Sequence, residues 1–173
     1  MRNPRSDAIA IYAPMAQDEH TWLRNLWQAE WGGASMVSHG DAYHLSELLS
    51  LVARRGQQLV GAATYRMDED SCELMSINAV ESGIGVGTEL LTAIERETIA
   101  AGKERVWLIT SNDNLDAMRF YQRRGYRMVG VHVGAVDDAR RIKPTIPLIG
   151  HHGIEIHDEV ELSKTVTPGA SVR

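Results

Sequence analysis

From Cys72 to Val80 the chain reads CELMSINAV, then ESGIGVG from Glu81 to Gly87, then TELL from Thr88 to Leu91. The first part is β-prone. The last opens a helical pattern with Leu90, Leu91, Ile94 and Thr98 on one face, and Gly102 closes it. Strand, glycine turn and helix therefore follow one another. Glycines allow a tight turn and a close backbone approach. The helix N-terminus adds unpaired N–H groups and a partial positive charge. Together these features make an anion site, suited to a phosphate or pyrophosphate. A P-loop would need a lysine before Thr88, and Gly87 stands there. A dinucleotide fingerprint would need its third glycine at position 88, and that residue is Thr.

Outward from this turn the pattern alternates between strand and helix. Upstream, Leu51–Arg54 and Gln57–Met67 read as a hairpin about Arg55-Gly56, and the acidic turn Asp68-Glu69-Asp70 leads into the strand Cys72–Val80. Further upstream lie a short strand around Ile9 and Ile11 and a helix from about Asp18. Leu23, Trp27 and Trp31 share one helix face, and Gly32 ends it. Most of the tryptophans there are expected as core anchors. Met36–His39 is expected as a short strand and His44–Leu51 as a short helix. Downstream come a buried-looking strand Arg105–Thr110, a helix Asn114–Arg124 closed by Gly125, and a strand Tyr126–Val136. One helical turn at Asp137–Arg141 and a final strand Glu155–Leu162 follow. The order implies a mixed α/β domain over residues 1–164, with a flexible tail at 165–173. The antiparallel hairpin before the glycine turn argues against a purely doubly wound sheet.

A second motif runs from Asn112 to Tyr126 and holds Asn114, Ala117, Phe120, Tyr121, Gly125 and Tyr126. Asn114 opens the helix, where its side chain caps the backbone or reaches a ligand. Ala117 is small on a face that a cofactor can approach. Phe120 and Tyr121 are adjacent, so one ring is expected in the core and the other in a cleft. A tyrosine hydroxyl, with an ordinary pKa of about 10, can donate a proton or hydrogen bond to a leaving group.

The two motifs together resemble the GNAT superfamily of acyl-CoA-dependent N-acyltransferases. Its pyrophosphate loop is Arg or Gln, two residues, Gly, one residue, then Gly or Ala, followed by a helix with paired leucines. Ser82 takes the first position here, which removes a side-chain phosphate contact and leaves the backbone cradle. The resemblance covers Leu51 to Val136. It implies a central, mostly antiparallel mixed sheet flanked by helices, with a splayed strand pair holding acetyl-CoA. Backbone groups of Ile77, Asn78, Ala79 and Val80 would pair with the pantetheine arm. Ser82, Gly83, Ile84, Gly85, Val86, Gly87 and Thr88 would hold the pyrophosphate, and Asn114, Ala117, Phe120 and Tyr121 would line the cofactor. Tyr121 would assist thiolate departure. Glu73, near the start of the strand, would be the base, with Glu69 and Asp70 as alternatives. The acceptor would be a small-molecule or peptide amine, taken by direct transfer.

Composition bounds the same reading. The 173 residues carry 18 Lys plus Arg against 23 Asp plus Glu, a net charge of -5, which disfavours a nucleic-acid partner. No stretch approaches the roughly 20 apolar residues of a membrane span. Arg2 and Arg5 precede too short an apolar run for a secretory signal. The single cysteine, Cys72, excludes an internal disulfide and argues against a covalent acyl-enzyme. A cytoplasmic protein is expected, with a homodimer as a further option. His151, His152 and His157 cluster near Asp158 and Glu159 but lack firm ligand spacing, so a solvated loop is expected and no metal. Arg123, Arg124 and Arg127 are expected at a charged helix end, one of them within reach of the CoA 3′-phosphate. A non-catalytic acyl-CoA sensor on the same scaffold would keep the glycine turn and need neither Glu73 nor Tyr121. A nucleotide-binding protein is a remoter reading.

Overall fold

The computed structural model describes residues 8–81 and 83–168. Strand β1 (Ile9–Tyr12) leads to helix α1 (Gln17–Trp31), which ends at Gly32 in the left-handed region (φ 66°). A small hairpin follows, β2 (Ser35–Ser38) and β3 (Asp41–His44). The short helix expected at His44–Leu51 is one 3-10 turn at Leu45–Glu47, because residues 41–44 pair with β2 and Leu49 already belongs to the next strand. Strands β4 (Leu49–Arg55), β5 (Gln58–Met67) and β6 (Ser71–Ala79) form an antiparallel meander. Helix α2 (Val86–Ala100) crosses to β7 (Arg105–Ser111), which runs parallel to β6. Helix α3 (Leu115–Gln122), β8 (Arg127–His132), α4 (Ala135–Ile142) and β9 (Glu159–Thr165) follow in the described residues. The seven-stranded sheet has the order β1-β4-β5-β6-β7-β9-β8, and only β6 and β7 are parallel.

Alternation along the strands divides the core between the two faces. Leu51 and Ala53 of β4 join Leu90, Leu91 and Ile94 of α2, whereas Val52 between them joins Leu23 and Trp27 of α1. Burying side chains of this size contributes about 1.5–3 kcal/mol each. Trp27 also donates its indole N–H to Ser76 Oγ at 3.3 Å, which ties α1 to β6.

Three boundaries differ from the sequence expectation. β8 stops at His132, since Gly134 turns left-handed (φ 75°) and opens α4, a helix of eight residues rather than a single turn. The final strand begins at Glu159, not Glu155, and runs to Thr165. Val166 beyond it is buried, and its N–H reaches the Glu104 carbonyl, so residues 165 and 166 belong to the fold rather than to a tail.

Candidate active site

The site begins where two strands part. β6 and β7 pair only at Ser71–Arg105, Cys72–Val106 and Glu73–Trp107. Immediately beyond, the β5–β6 register jumps from Tyr65–Leu74 to Thr64–Ser76, leaving Met75 as an extra residue. Such a bulge bends its strand, and β6 swings away from β7. A cavity of about 280 Å³ fills the gap, walled by Leu74 and Ile77 on one side and by Leu108 and Thr110 on the other. Asn114, Ala117, Phe120 and Tyr121 of α3 close it.

Successive residues of a strand turn their N–H groups to opposite neighbours. Val80 donates to the Val60 carbonyl at 2.9 Å, toward β5. Ile77 and Ala79 therefore turn theirs to the side that β7 has vacated, and both line the cavity. Asn78 and Val80 do not line it. The Asn78 side chain accepts from Trp31 Nε1 at 3.3 Å, on the α1 face. Of the four residues expected along the pantetheine arm, Ile77 and Ala79 are the two that border the cavity.

At the mouth, Gly83 and Gly85 have φ of 82° and 86°, a region open to glycine at little cost. Ile84 between them anchors the loop in the core. The first helical bond of α2 runs from Glu89 N–H to the Gly85 carbonyl. The N–H groups of Val86, Gly87 and Thr88 precede that ladder and have no helical partner. Gly87 faces Phe120, whose ring would lie 3.3 Å from a β-carbon there. Ser82 falls outside the described residues. Arg124 supplies a cation instead: its guanidinium donates to Thr88 Oγ1 at 2.6 Å and stacks 3.7 Å from the Phe120 ring centre. It stands at the first turn of α2, not merely at the end of α3. Free N–H groups, bare glycines and a cation at a helix N-terminus fit a pyrophosphate, and the adjoining cavity fits a pantetheine thioester.

Asn114 caps α3 and also borders the cavity: its Oδ1 accepts from Ala117 N–H at 3.1 Å. Phe120 and Tyr121 lie edge to face, 5.1 Å apart, and both touch the cavity. Tyr121 is 6% exposed, and burial pushes its hydroxyl well above the ordinary tyrosine value. It therefore keeps its proton at neutral pH and can donate it.

Glu73 occupies the last paired register before the strands part. It is buried, not solvated at a strand end, and faces away from α2. Its Oε1 accepts from Ser38 Oγ at 2.6 Å and its Oε2 from Arg66 Nε at 2.6 Å. It does not line the cavity. The ion pair has a signal in the sequence, since residues 66 and 73 are equidistant from the Glu69-Asp70 turn and become direct cross-strand partners. Glu69 and Asp70 are exposed on that turn. Cys72 is buried, and desolvation pushes its thiol up to about 11, which suits a core residue and not a nucleophile.

The histidines and cations near the C-terminus lie in α4 and the loop that leads from it into β9. His151 and His152 are exposed, on a turn pinned by the buried Asp113, which accepts from His151 N–H at 2.8 Å. His157 pairs with Asp158 at 2.8 Å, and that hydrogen bond raises its pKa. Arg140 donates to the carbonyls of Pro147 and Ile156, and Lys143 to those of Trp31 and Ser35, so both staple the C-terminal loop. A larger cavity, about 730 Å³, lies between α1 and the start of β4, where Trp27 separates it from Ser76 of the first cavity.

Comparison with known proteins agrees with this geometry. The profile of the acetyltransferase (GNAT) family matches residues 16–126. Two Bacillus subtilis (strain 168) proteins, both uncharacterized, are similar along nearly their whole length. YdhI is 36% identical over 159 residues, covering 91% of this chain and 99% of its own. YxbD is 38% identical over 152 residues, covering 87% and 96%. A GNAT family acetyltransferase from Elizabethkingia anophelis, solved with acetyl-CoA bound, superposes with a TM-score of 0.66 at 18% identity, over 91% of this chain and 97% of that one.

Proposed function

Since the chain belongs to the GNAT acetyltransferase family, we propose that it moves an acetyl group from acetyl-CoA directly onto a primary amine. The observation that carries this reading is the parting of β6 and β7 beyond Glu73, with Tyr121 and the bare first turn of α2 both bordering the gap. Bound acetyl-CoA supplies an activated thioester carbonyl. The N–H groups of Val86, Gly87 and Thr88, with Arg124 beside them, hold the pyrophosphate. Ile77 and Ala79 offer strand N–H groups to the pantetheine and carbonyl oxygens, an oxyanion-type contribution. Tyr121 donates to the leaving sulfur as the C–S bond breaks. Glu73 does not border the cavity and is held in one orientation by Ser38 and Arg66, so it takes the amine proton through water. Most of the acceleration comes from positioning the two substrates. The buried thiol of Cys72 needs no oxidising compartment, in keeping with a cytoplasmic enzyme.

The test is release of CoA in the presence of an amine acceptor, with Tyr121→Phe and Glu73→Gln beside the wild type. Loss of a general acid or base should lower turnover by about 10²-fold or more in each variant. Unchanged turnover in both would overturn the assignment. CoA binding with no acetylated amine would instead support a non-catalytic acyl-CoA sensor.

A further inference from the structure

A second group of charges lies on the sheet face opposite α2. Val160 and Leu162 of β9 enter the core with Val106 and Leu108, so Glu159 and Glu161 point the other way, alongside Trp107. His132 of β8 is the register partner of Glu159. His39 comes from the β2–β3 turn, where it and Gly40 have φ of 49° and 82°, the two positive values a tight two-residue hairpin demands. A histidine held there is a strained choice. Its ring lies 5.4 Å from Trp107 and 4.7 Å from His132. Glu161 divides its carboxylate: Oε1 accepts from Arg105 at 2.7 Å, and Oε2 stands 3.3 Å from His132 Nε2 and 3.9 Å from His39 Nε2.

Glu159 is the unusual member. It is 5% exposed, and among the described residues its Oε2 is the one buried side-chain polar atom without a hydrogen-bond partner. Burial raises its pKa against the pull of the His39 and His132 rings and of the His39 backbone N–H, and Glu73 raises it further. The nearby arginines are committed elsewhere, Arg66 to Glu73 and Asp68, Arg105 to Glu161 and Ser163. A buried carboxylate oxygen with no donor costs on the order of 1–3 kcal/mol, more when charged. A ligand that brings a hydrogen-bonding cation removes that cost.

We propose that this face seats a cationic group of the acceptor, an ammonium or guanidinium, with Glu159 Oε2 as its hydrogen-bond acceptor, Glu161 Oε2 and the two histidines around it and Trp107 as a wall. The proposal rests on the acetyl-transfer reading and gives it a substrate class: amines that carry positive charge. Glu73 lies on the same face and pairs with Trp107, so the seat adjoins the point where the strands part. A tetrahedral zinc ion with bonds of about 2.0–2.1 Å would need its ligand atoms about 3.4 Å apart. His132 and Glu161 stand at 3.3 Å, near that spacing, and His39 and Glu161 at 3.9 Å, wider than it, so zinc is the competing occupant that the test separates from an organic cation.

The probe is butylguanidinium, which binds as a cation and is not acetylated, titrated calorimetrically into the full chain. Glu159→Gln should weaken it about tenfold, equivalent to about 1.4 kcal/mol, and leave CoA affinity within about twofold. The same variant should melt no lower than wild type, because an unpaired buried charge has gone. His132→Gln, which keeps Glu159, should weaken the probe less. In acetylation assays Glu159→Gln should raise KM for a diamine and leave kcat, and leave KM for a monoamine of equal chain length unchanged. Equal affinity of wild type and Glu159→Gln for butylguanidinium overturns the proposal. So does zinc binding at these residues without binding of the organic cation. Cation binding that depends on Glu159 in a protein that acetylates nothing supports the seat and overturns the acetyl-transfer reading alone.

Discussion

Replacing Gly61 by alanine tests whether the fold sets the position of the pyrophosphate cradle. Gly61 lies in β5 under the first turn of α2. A β-carbon there would sit 2.5 Å from Val86 Cγ1, 2.7 Å from the Asn78 carbonyl oxygen and 3.2 Å from Leu90 Cδ1. The Val86 methyl is the end of a side chain and can turn. The Asn78 oxygen is backbone of β6, held by strand pairing on the β5 side, and cannot. Overpacking of this kind costs about 1–3 kcal/mol, and Gly→Ala at an ordinary φ returns about 0.4–1 kcal/mol through the unfolded chain. A net loss of about 1–2 kcal/mol corresponds to a melting point lower by about 2–8 °C in a chain of this length. With the Asn78 oxygen fixed, the added methyl bears on Val86 and Leu90 together, so the first turn of α2 is pushed outward and carries the Val86 N–H of the cradle with it. CoA affinity should therefore fall about tenfold, or about 1.4 kcal/mol. Thermal unfolding by circular dichroism reads the first effect and calorimetric titration with CoA the second. A variant that melts with wild type and binds CoA equally would refute the claim that Gly61 sets the seat of α2.

Three further outcomes follow from the same contacts. Arg124→Met should weaken CoA about three- to tenfold at low salt, with a smaller loss at high salt, since the contact is partly screened; calorimetry at two ionic strengths checks it. Glu19 accepts from Tyr12, Arg54 and the Met15 and Ala16 N–H groups, with the backbone bonds leading, and its pKa is lowered to about 2. Its stabilisation is thus full above the unfolded value of about 4.3 and is lost as pH falls toward 2. Urea melts should show Glu19→Gln less stable than wild type at pH 7, and the gap should close by acid pH. Truncation after Lys164 should lower the melting point relative to truncation after Pro168, because it also removes buried Val166 and its bond to Glu104.

Much of this was legible in local sequence. Leu23, Trp27 and Trp31 mark α1, and three closely spaced glycines before Leu90-Leu91 mark the cradle. Asn114 through Tyr126 marks the helix that closes the cavity. These elements owe their form to neighbours a few residues away. Where the reading failed, tertiary context decided. Val129, Val131 and Val133 read as a strand running on to Val136, but Gly134 turns left-handed and starts α4. Residues 41–44 form a strand only because β2 lies beside them. The site was half legible for the same reason. Tyr121 and Asn114 carry a motif, whereas Glu159, Glu161, His132 and His39 come together from two sheet strands and a hairpin turn. Arg124 reaches Thr88 across 36 residues of sequence. Glu73 was found as a residue but not as a buried ion pair, although its mirror position to Arg66 about the acidic turn pointed there.

The most direct test is mass spectrometry of an amine library incubated with the protein and acetyl-CoA. Transfer predicts one added acetyl group on primary amines, cationic ones foremost, with a matching release of CoA that Tyr121→Phe suppresses. Release of CoA without any acetylated amine, or acetylation unaffected by Tyr121→Phe and Glu73→Gln together, would contradict the account.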